Sequence, residues 1–220
     1  MEVNDKNVER ASVLDTATLS DALDRLGIAG QCLGIKPRDP GFRLTGRAMT
    51  FQYVPAANPP GTVGDYIDDV PAGAVIVLDN GGREDATVWG DILTEVASKK
   101  GVAGTVIDGA CRDTALCREL NYPVFSRSHS MRTGKDRVQL DVSAEPVNIG
   151  DARVSQGDLM RGDADGVIVI PQAFEEKVLA LAESIQAAED RIREAVRGGM
   201  RLDEAREAHR YHQLQSKEQA

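Results

Sequence analysis

What the sequence lacks narrows its class before any motif is read. No apolar run approaches the roughly 20 residues that cross a bilayer, and the opening MEVNDKNVER has no apolar core of the signal-peptide kind. The expectation is a cytoplasmic protein with no membrane partner. Lys and Arg number 26 against 35 Asp and Glu, a formal net charge of −9. Such a chain has no basic face to neutralise phosphates, so no nucleic-acid partner is expected, and an anionic substrate would need a local positive pocket. The only cysteines, Cys32, Cys111 and Cys117, are odd in number, lack metal-ligand spacing and read as reduced thiols. Histidines do not cluster: His129 stands alone, and His209 and His212 lie on a polar tail. P-loop, dinucleotide fingerprint, GxSxG and HExxH motifs are all missing, as are internal repeats and low-complexity tracts.

What is present suits one α/β domain. A hydrophobic content of 41% in 220 residues can fill a single core. The division expected is a domain over residues 1–171 with N-terminal helices, then a helical arm over 172–220. Asp15 can cap a helix carrying Leu19, Leu23 and Leu26 and stopped at Gly27. Residues 46–53 alternate as a strand does. The proline-punctuated stretch 54–70 reads either as a lid or as a plain surface connection. AVIVLD (74–79) is a continuous apolar run, a strand buried on both faces, which Asn80-Gly81-Gly82 should break. A helix over 91–100, a turn at Gly101 and a strand over 104–108 complete a crossover unit. A tight loop at Gly109, a short helix from Asp113 and a strand at 123–125 follow. RVQLDV, PVNI and DARV read as short antiparallel strands, and GDADGVIVIP (162–171) adds one more buried strand. Beyond Pro171 an apolar seam runs through Phe174, Val178, Leu181, Ile185, Ile192 and Val196 up to Gly198-Gly199. The seam is expected to pack on a neighbouring subunit, with packing on its own domain as the alternative. A last helix carries Leu202, Ala205, Ala208 and Tyr211.

The chemistry concentrates between Gly90 and Asp113. The first amides of a helix have no intrahelical acceptor. With the positive end of the helix dipole, those of Gly90, Asp91, Ile92 and Leu93 form a cradle for a carboxylate or phosphate. They also fit a plain helix start with Asp91 as a first-turn acid. Arg112 can fork two hydrogen bonds to a carboxylate, or form a salt bridge with Asp108. Asp113 suits a hard divalent cation, which takes one or two protein carboxylates and completes its shell with water and substrate oxygens. It suits equally an N-cap role for the helix that follows. Cys111 reads as a small buried residue. Glu189 and Asp190 interrupt the C-terminal seam and are candidates to reach a neighbour's site.

Asp91, twenty intervening residues and then Arg112-Asp113, preceded by Gly81-Gly82 and Trp89-Gly90 and followed by NYPVF (121–125), make a recognisable text. It resembles the divalent-metal-dependent 4-hydroxy-4-methyl-2-oxoglutarate aldolases of the RraA-like family, named after the regulator of ribonuclease activity A. The resemblance spans residues 10–175 and includes the closing GDADGVIVIP. It implies an α/β fold, a three-layer β/β/α swivelling domain, assembled as a trimer or hexamer with sites at subunit interfaces. It implies that Gly90, Asp91, Ile92, Leu93 and Arg112 bind a pyruvyl portion. Arg112 and Asp91 would be catalytic, and Asp113 would hold Mg²⁺ or Mn²⁺. The implied activity is cleavage of a 4-hydroxy-2-oxo dicarboxylate to pyruvate and a second oxo acid, with oxaloacetate decarboxylation through the same enolate. Two other roles are compatible: a non-catalytic regulator that docks on an RNA-processing enzyme, and a lyase or decarboxylase acting on another oxo acid. The chain departs from the family pattern at Cys111 and at Leu159-Met160-Arg161, and its 54–70 segment is less recognisable.

Overall fold

The computed structural model describes residues 5–209. Two short helices, α1 (Lys6–Ser12) and α2 (Thr16–Leu26), lead into β1 (Lys36–Pro37) and β2 (Leu44–Pro55). The crossover units follow: β3 (Ala74–Thr87), α3 (Asp91–Lys100), β4 (Gly104–Cys111), α4 (Thr114–Glu119) and β5 (Val124–His129). Short strands come next, β6 (Val138–Ser143), β7 (Val147–Ile149), β8 (Ala152–Val154), β9 (Leu159–Gly162) and β10 (Val167–Ile170). The described chain closes with α5 (Glu175–Arg197) and α6 (Leu202–Ala208). No helix among the described residues is long and apolar enough to cross a membrane.

The sheet runs β1-β5-β4-β3-β2-β9-β10, with β6 also on β2. Strands β2 to β5 pair in parallel, which is the crossover order expected from the sequence. β2 supplies one edge to two antiparallel partners in turn. Leu44 to Arg47 face β9, and Phe51 to Pro55 face β6 after a register shift at Gln52/Tyr53. The hairpin β7–β8 forms a second small sheet. It is anchored through two buried aspartates, since Asp79 Oδ2 accepts from Asn148 N at 3.1 Å and Asp108 Oδ2 from Gly150 N at 2.8 Å. This is the α/β, β/β/α arrangement that the resemblance implied.

Two strands run further than their sequences suggested. Gly81-Gly82 does not break β3; the chain shifts register there and stays paired with β4 up to Thr87. β4 likewise passes through Gly109 to Cys111. The strand expected within 162–171 is β10, and β9 just before it, its antiparallel partner, was not expected.

The C-terminal arm begins inside the domain. Val178, Leu179, Ala182 and Ile185 of α5 are buried in a cluster with Leu14, Leu19, Leu23, Leu159, Ile168 and Ile170. The division at 172 is therefore revised for the first half of α5, because an aliphatic face buried against α2, β9 and β10 cannot also serve a neighbour. Full burial of each such side chain is worth about 1.5–3 kcal/mol. The seam is rotated from the one expected: Leu179 and Ala182 join it, while Phe174 and Val196 stand 45% and 40% exposed. Glu189 and Asp190 both pair with Arg193 on the same helix. Tyr211 and His212 lie outside the described residues.

Polar ties join the helical layer to the sheet. Arg47 of β2 pairs with Asp5 before α1 (2.7 Å) and with Glu175 at the start of α5. Asp163, 5% exposed between β9 and β10, accepts from Thr16 N (2.8 Å) and Thr16 Oγ1 (2.7 Å) at the first residue of α2. Burial pushes the Asp163 carboxyl up, but those bonds, the Asp165 amide and nearby Arg161 more than offset it, and the carboxyl is held below its usual value. A depressed folded pKa stabilises the protein above the unfolded value of about 3.9, and the contribution is lost as pH falls through the folded one. Asp163→Asn should therefore lower stability by about 1–3 kcal/mol at neutral pH. Urea denaturation of both proteins should show that gap at pH 7 and its narrowing as pH falls below about 4.

Candidate active site

The parallel strands β3 and β4 end side by side, and each runs into a loop that opens a helix. After β3 the chain passes Val88-Trp89-Gly90 into α3; after β4 it passes Arg112-Asp113 into α4. The two loops are stitched together, Val88 N donating to Ala110 O at 3.3 Å and Arg112 N to Trp89 O at 2.9 Å. Below them Trp89 is buried and stacks on Tyr122. Its Nε1 donates to Thr94 Oγ1 at 2.9 Å, and that hydroxyl in turn donates to Gly90 O at 2.9 Å. The turn is thus fixed from inside the core, while its outer side stays open.

Gly90 is the N-cap of α3, and its lack of a side chain is required by its neighbours. A Cβ there would lie 2.9 Å from both Arg112 Nε and Asp113 Oδ2, closer than carbon contacts allow. In that space Asp113 Oδ2 accepts from Asp91 N at 3.1 Å and lies 3.1 Å from Arg112 Nε. Asp113 itself is in the left-handed region, φ 55° and ψ 36°, a conformation that Asp tolerates better than most residues and that recurs at functional turns. It stands at the N-cap position of α4, as the sequence allowed, but its side chain makes no capping bond there: the carboxylate is turned back towards α3.

Each residue singled out in the sequence can now be placed. Arg112 does not pair with Asp108, whose partner is Arg127. Its Nη1 and Nη2 make no hydrogen bond or ion pair among the described residues, so the fork is free to take a carboxylate. Asp91 does not touch Arg112. Its Oδ1 accepts from Ile92 N at 2.9 Å. The cradle is therefore partly filled by the protein's own carboxylates, leaving the amides of Gly90 and Leu93 without a partner among the described residues. The amide of Ile92 is spent on Asp91, and its side chain is 74% exposed.

Gly90 and Arg112 line one cleft of about 160 Å³ together with Val63, Thr87, Val88, Trp89, Thr133, Gly134 and Lys135. That is about five waters' worth of space, below the roughly 300–1,000 Å³ of pockets for drug-sized ligands. A short-chain acid fits this scale. The segment 54–70 supplies one wall through Val63 and is pinned down: Gln139 Oε1 accepts from Ala57 N (2.8 Å) and Gly61 N (2.9 Å), and Tyr53 OH donates to Val63 O. It is a wall of the cleft as well as a connection. The opposite wall, Thr133 to Lys135, was not singled out in the sequence. Its only signal there was the polar, basic RTGKDR text between two strands.

No group of three or more His, Cys, Asp and Glu among the described residues could hold a metal. The donor set nonetheless suits a hydrated hard cation, because Asp113 Oδ1 takes part in none of these bonds and the side chain is 38% exposed. One carboxylate, with water and substrate oxygens for the rest, is the pattern Mg²⁺ accepts. The cysteines are inert: all three are buried and free, and burial raises the thiols of Cys111 and Cys117 and pushes that of Cys32 up to about 12.

Comparison with known proteins identifies the family. Residues 16–169 match the family model RraA-like: Aldolase/RraA. Protein DlpA of Legionella pneumophila is 41% identical over 203 residues; the match covers 90% of this chain, which spans about a third (33%) of the length of DlpA. A Halalkalibacterium halodurans protein named "Putative 4-hydroxy-4-methyl-2-oxoglutarate aldolase" is 35% identical over 181 residues, 82% of this chain and 83% of that one. Among solved structures, an uncharacterized protein from Pseudomonas syringae pv. tomato superposes with a TM-score of 0.86 at 44% identity, covering 91% of this chain and 96% of that one.

Gly90→Ala tests the close approach directly. It is expected to cost about 1–3 kcal/mol, and a crystal structure of the variant should show Asp113 displaced from the Asp91 amide.

Proposed function

Since the chain belongs to the RraA-like, Aldolase/RraA family, we propose that it is a divalent-metal-dependent pyruvate aldolase acting on a 4-hydroxy-2-oxo dicarboxylate. The observation that carries the reading is that Gly90 and Arg112 line one small cleft while Asp113, paired with Arg112, accepts from the Asp91 amide at the start of α3. The curated relative from Halalkalibacterium halodurans bears an aldolase name that points the same way.

In this reading the free Nη1 and Nη2 of Arg112, with the unpartnered amides of Gly90 and Leu93, receive the pyruvyl end of the substrate. Asp113 would hold Mg²⁺ or Mn²⁺, which when bound would supply Lewis-acid polarisation of the C2 carbonyl. Breaking the C3–C4 bond leaves its electron pair on C3, delocalised into the C2 oxygen as an enolate. Arg112 stabilises that developing charge, as preorganised donors do where charge appears in a transition state. The C4 hydroxyl passes its proton to water as the second oxo acid forms, and C3 takes a proton from water to complete pyruvate. Asp91 keeps one carboxylate oxygen free of hydrogen bonds among the described residues, and its amide holds Asp113 in place. Oxaloacetate loses CO₂ through the same enolate, so decarboxylation accompanies cleavage. Assembly into a trimer or hexamer belongs to the same reading. Ile92, 74% exposed, and Met131, 91% exposed, are apolar surface for such contacts. Light scattering after gel filtration should give three or six chains.

Pyruvate release from oxaloacetate and from 4-hydroxy-4-methyl-2-oxoglutarate, each with Mg²⁺ and with EDTA, tests the activity. Turnover should vanish in EDTA and in Asp113→Ala. Arg112→Ala should lower kcat by about 10²–10³ while leaving the thermal melt unchanged. Parent-like turnover in both variants would overturn the assignment.

A further inference from the structure

We propose that Lys135 selects the substrate by pairing with the carboxylate at its far end, opposite the end that Arg112 holds. The inference rests on the aldolase reading and adds to it a residue that decides which oxo acids are accepted.

The loop between β5 and β6 carries three cations, and two of them are occupied. Arg132 pairs with Asp85 at 3.2 Å. Arg137 Nη1 donates to the carbonyls of Thr133 (3.1 Å) and Lys135 (3.4 Å), closing the loop on itself. Lys135 forms no ion pair and no side-chain hydrogen bond among the described residues. It is also the one of the three that lines the cleft with Gly90 and Arg112. In a chain with nine more acidic than basic groups, a cation without a counter-charge beside a free guanidinium fork marks a place for a second anionic group.

The loop is held at a fixed distance from the catalytic turn. Thr87, three residues before Gly90, donates to Arg132 O from its amide (3.1 Å) and from its hydroxyl (3.0 Å), and it bridges to Thr133 as a strand would. Gly134 lies so close that a Cβ would stand 2.2 Å from Thr87 O. The end of β3 therefore carries both walls, one through the chain to Gly90 and the other through these contacts to Lys135. A ligand with one carboxylate would satisfy Arg112 and leave Lys135 unpaired. A dicarboxylate engages both, and such charge-assisted pairs give orientation as well as affinity.

Lys135→Gln and Lys135→Arg test this, assayed for pyruvate release from 4-hydroxy-4-methyl-2-oxoglutarate with Mg²⁺ and for inhibition by pyruvate, which has no second carboxylate. Lys135→Gln is expected to lower kcat/KM on the dicarboxylate about tenfold or more, mainly through KM, with the pyruvate inhibition constant unchanged. Lys135→Arg should restore most of the loss. An unchanged kcat/KM in Lys135→Gln overturns the proposal and leaves the aldolase reading standing. Equal losses in KM and in pyruvate inhibition also overturn it, since they would make Lys135 a structural residue of the cleft. Absence of pyruvate release by the parent protein would fell the aldolase reading, and this proposal with it.

Discussion

Two parallel strands end against each other at Gly90 and Arg112, and the chemistry of this protein depends on how closely they do so. The empty space where a Cβ would stand admits the Asp113 carboxylate. That carboxylate then ties the first amide of α3 to the start of α4. A helix terminus offers donors only where the backbone can be approached, and a left-handed aspartate is what turns the carboxylate back into reach. The buried chain of Trp89, Thr94 and Gly90 keeps the turn from relaxing. Rigidity below and openness above are what a site for a small acid needs.

The rest of the fold serves that junction at two removes. The long β2 binds β9 and β6 along one edge, and β6 brings Gln139, whose amide oxygen pins the 54–70 wall. The β7–β8 hairpin consumes Asp79 and Asp108, the two buried acids nearest the middle of the sheet. Asp108 is thereby removed from competition for Arg112 and committed to Arg127. On the far side α5 packs on α2 through an aliphatic face, and Arg47 and Asp163 lock that layer to the sheet. The carboxylates divide by position: Asp79 and Asp108, which are buried, hold the frame, and Asp91 and Asp113 at the strand ends are exposed.

Much of this was legible in the sequence, for identifiable reasons. A continuous apolar run, a helix stopped by Gly101 and a second run gave the β3–α3–β4 crossover, because periodicity and helix stops are local signals. Asp91 and Arg112-Asp113 stood out because a crossover brings the ends of neighbouring parallel strands together. What was missed had no local signature. Gly81-Gly82 read as a break, yet neighbouring strands hold the chain in the sheet through a register shift. The seam of α5 read as surface for another chain, yet α2 covers it. Asp113 read equally well as a cap; it does stand at the N-cap position of α4, and only the fold shows that its carboxylate bonds to the Asp91 amide instead.

By itself the sequence determined the order of strands and helices, the acidic surface and the pair of strand ends where an anion can be held. Each of these follows from neighbours along the chain, whose preferences act over a few residues. The tertiary structure alone decided which donors at those ends are free and which are already spent, and that Lys135, 45 residues from Gly90 along the chain, faces the same cleft. Charge pairing and close approach act across space, and the register of β3 against its neighbours sets which groups meet.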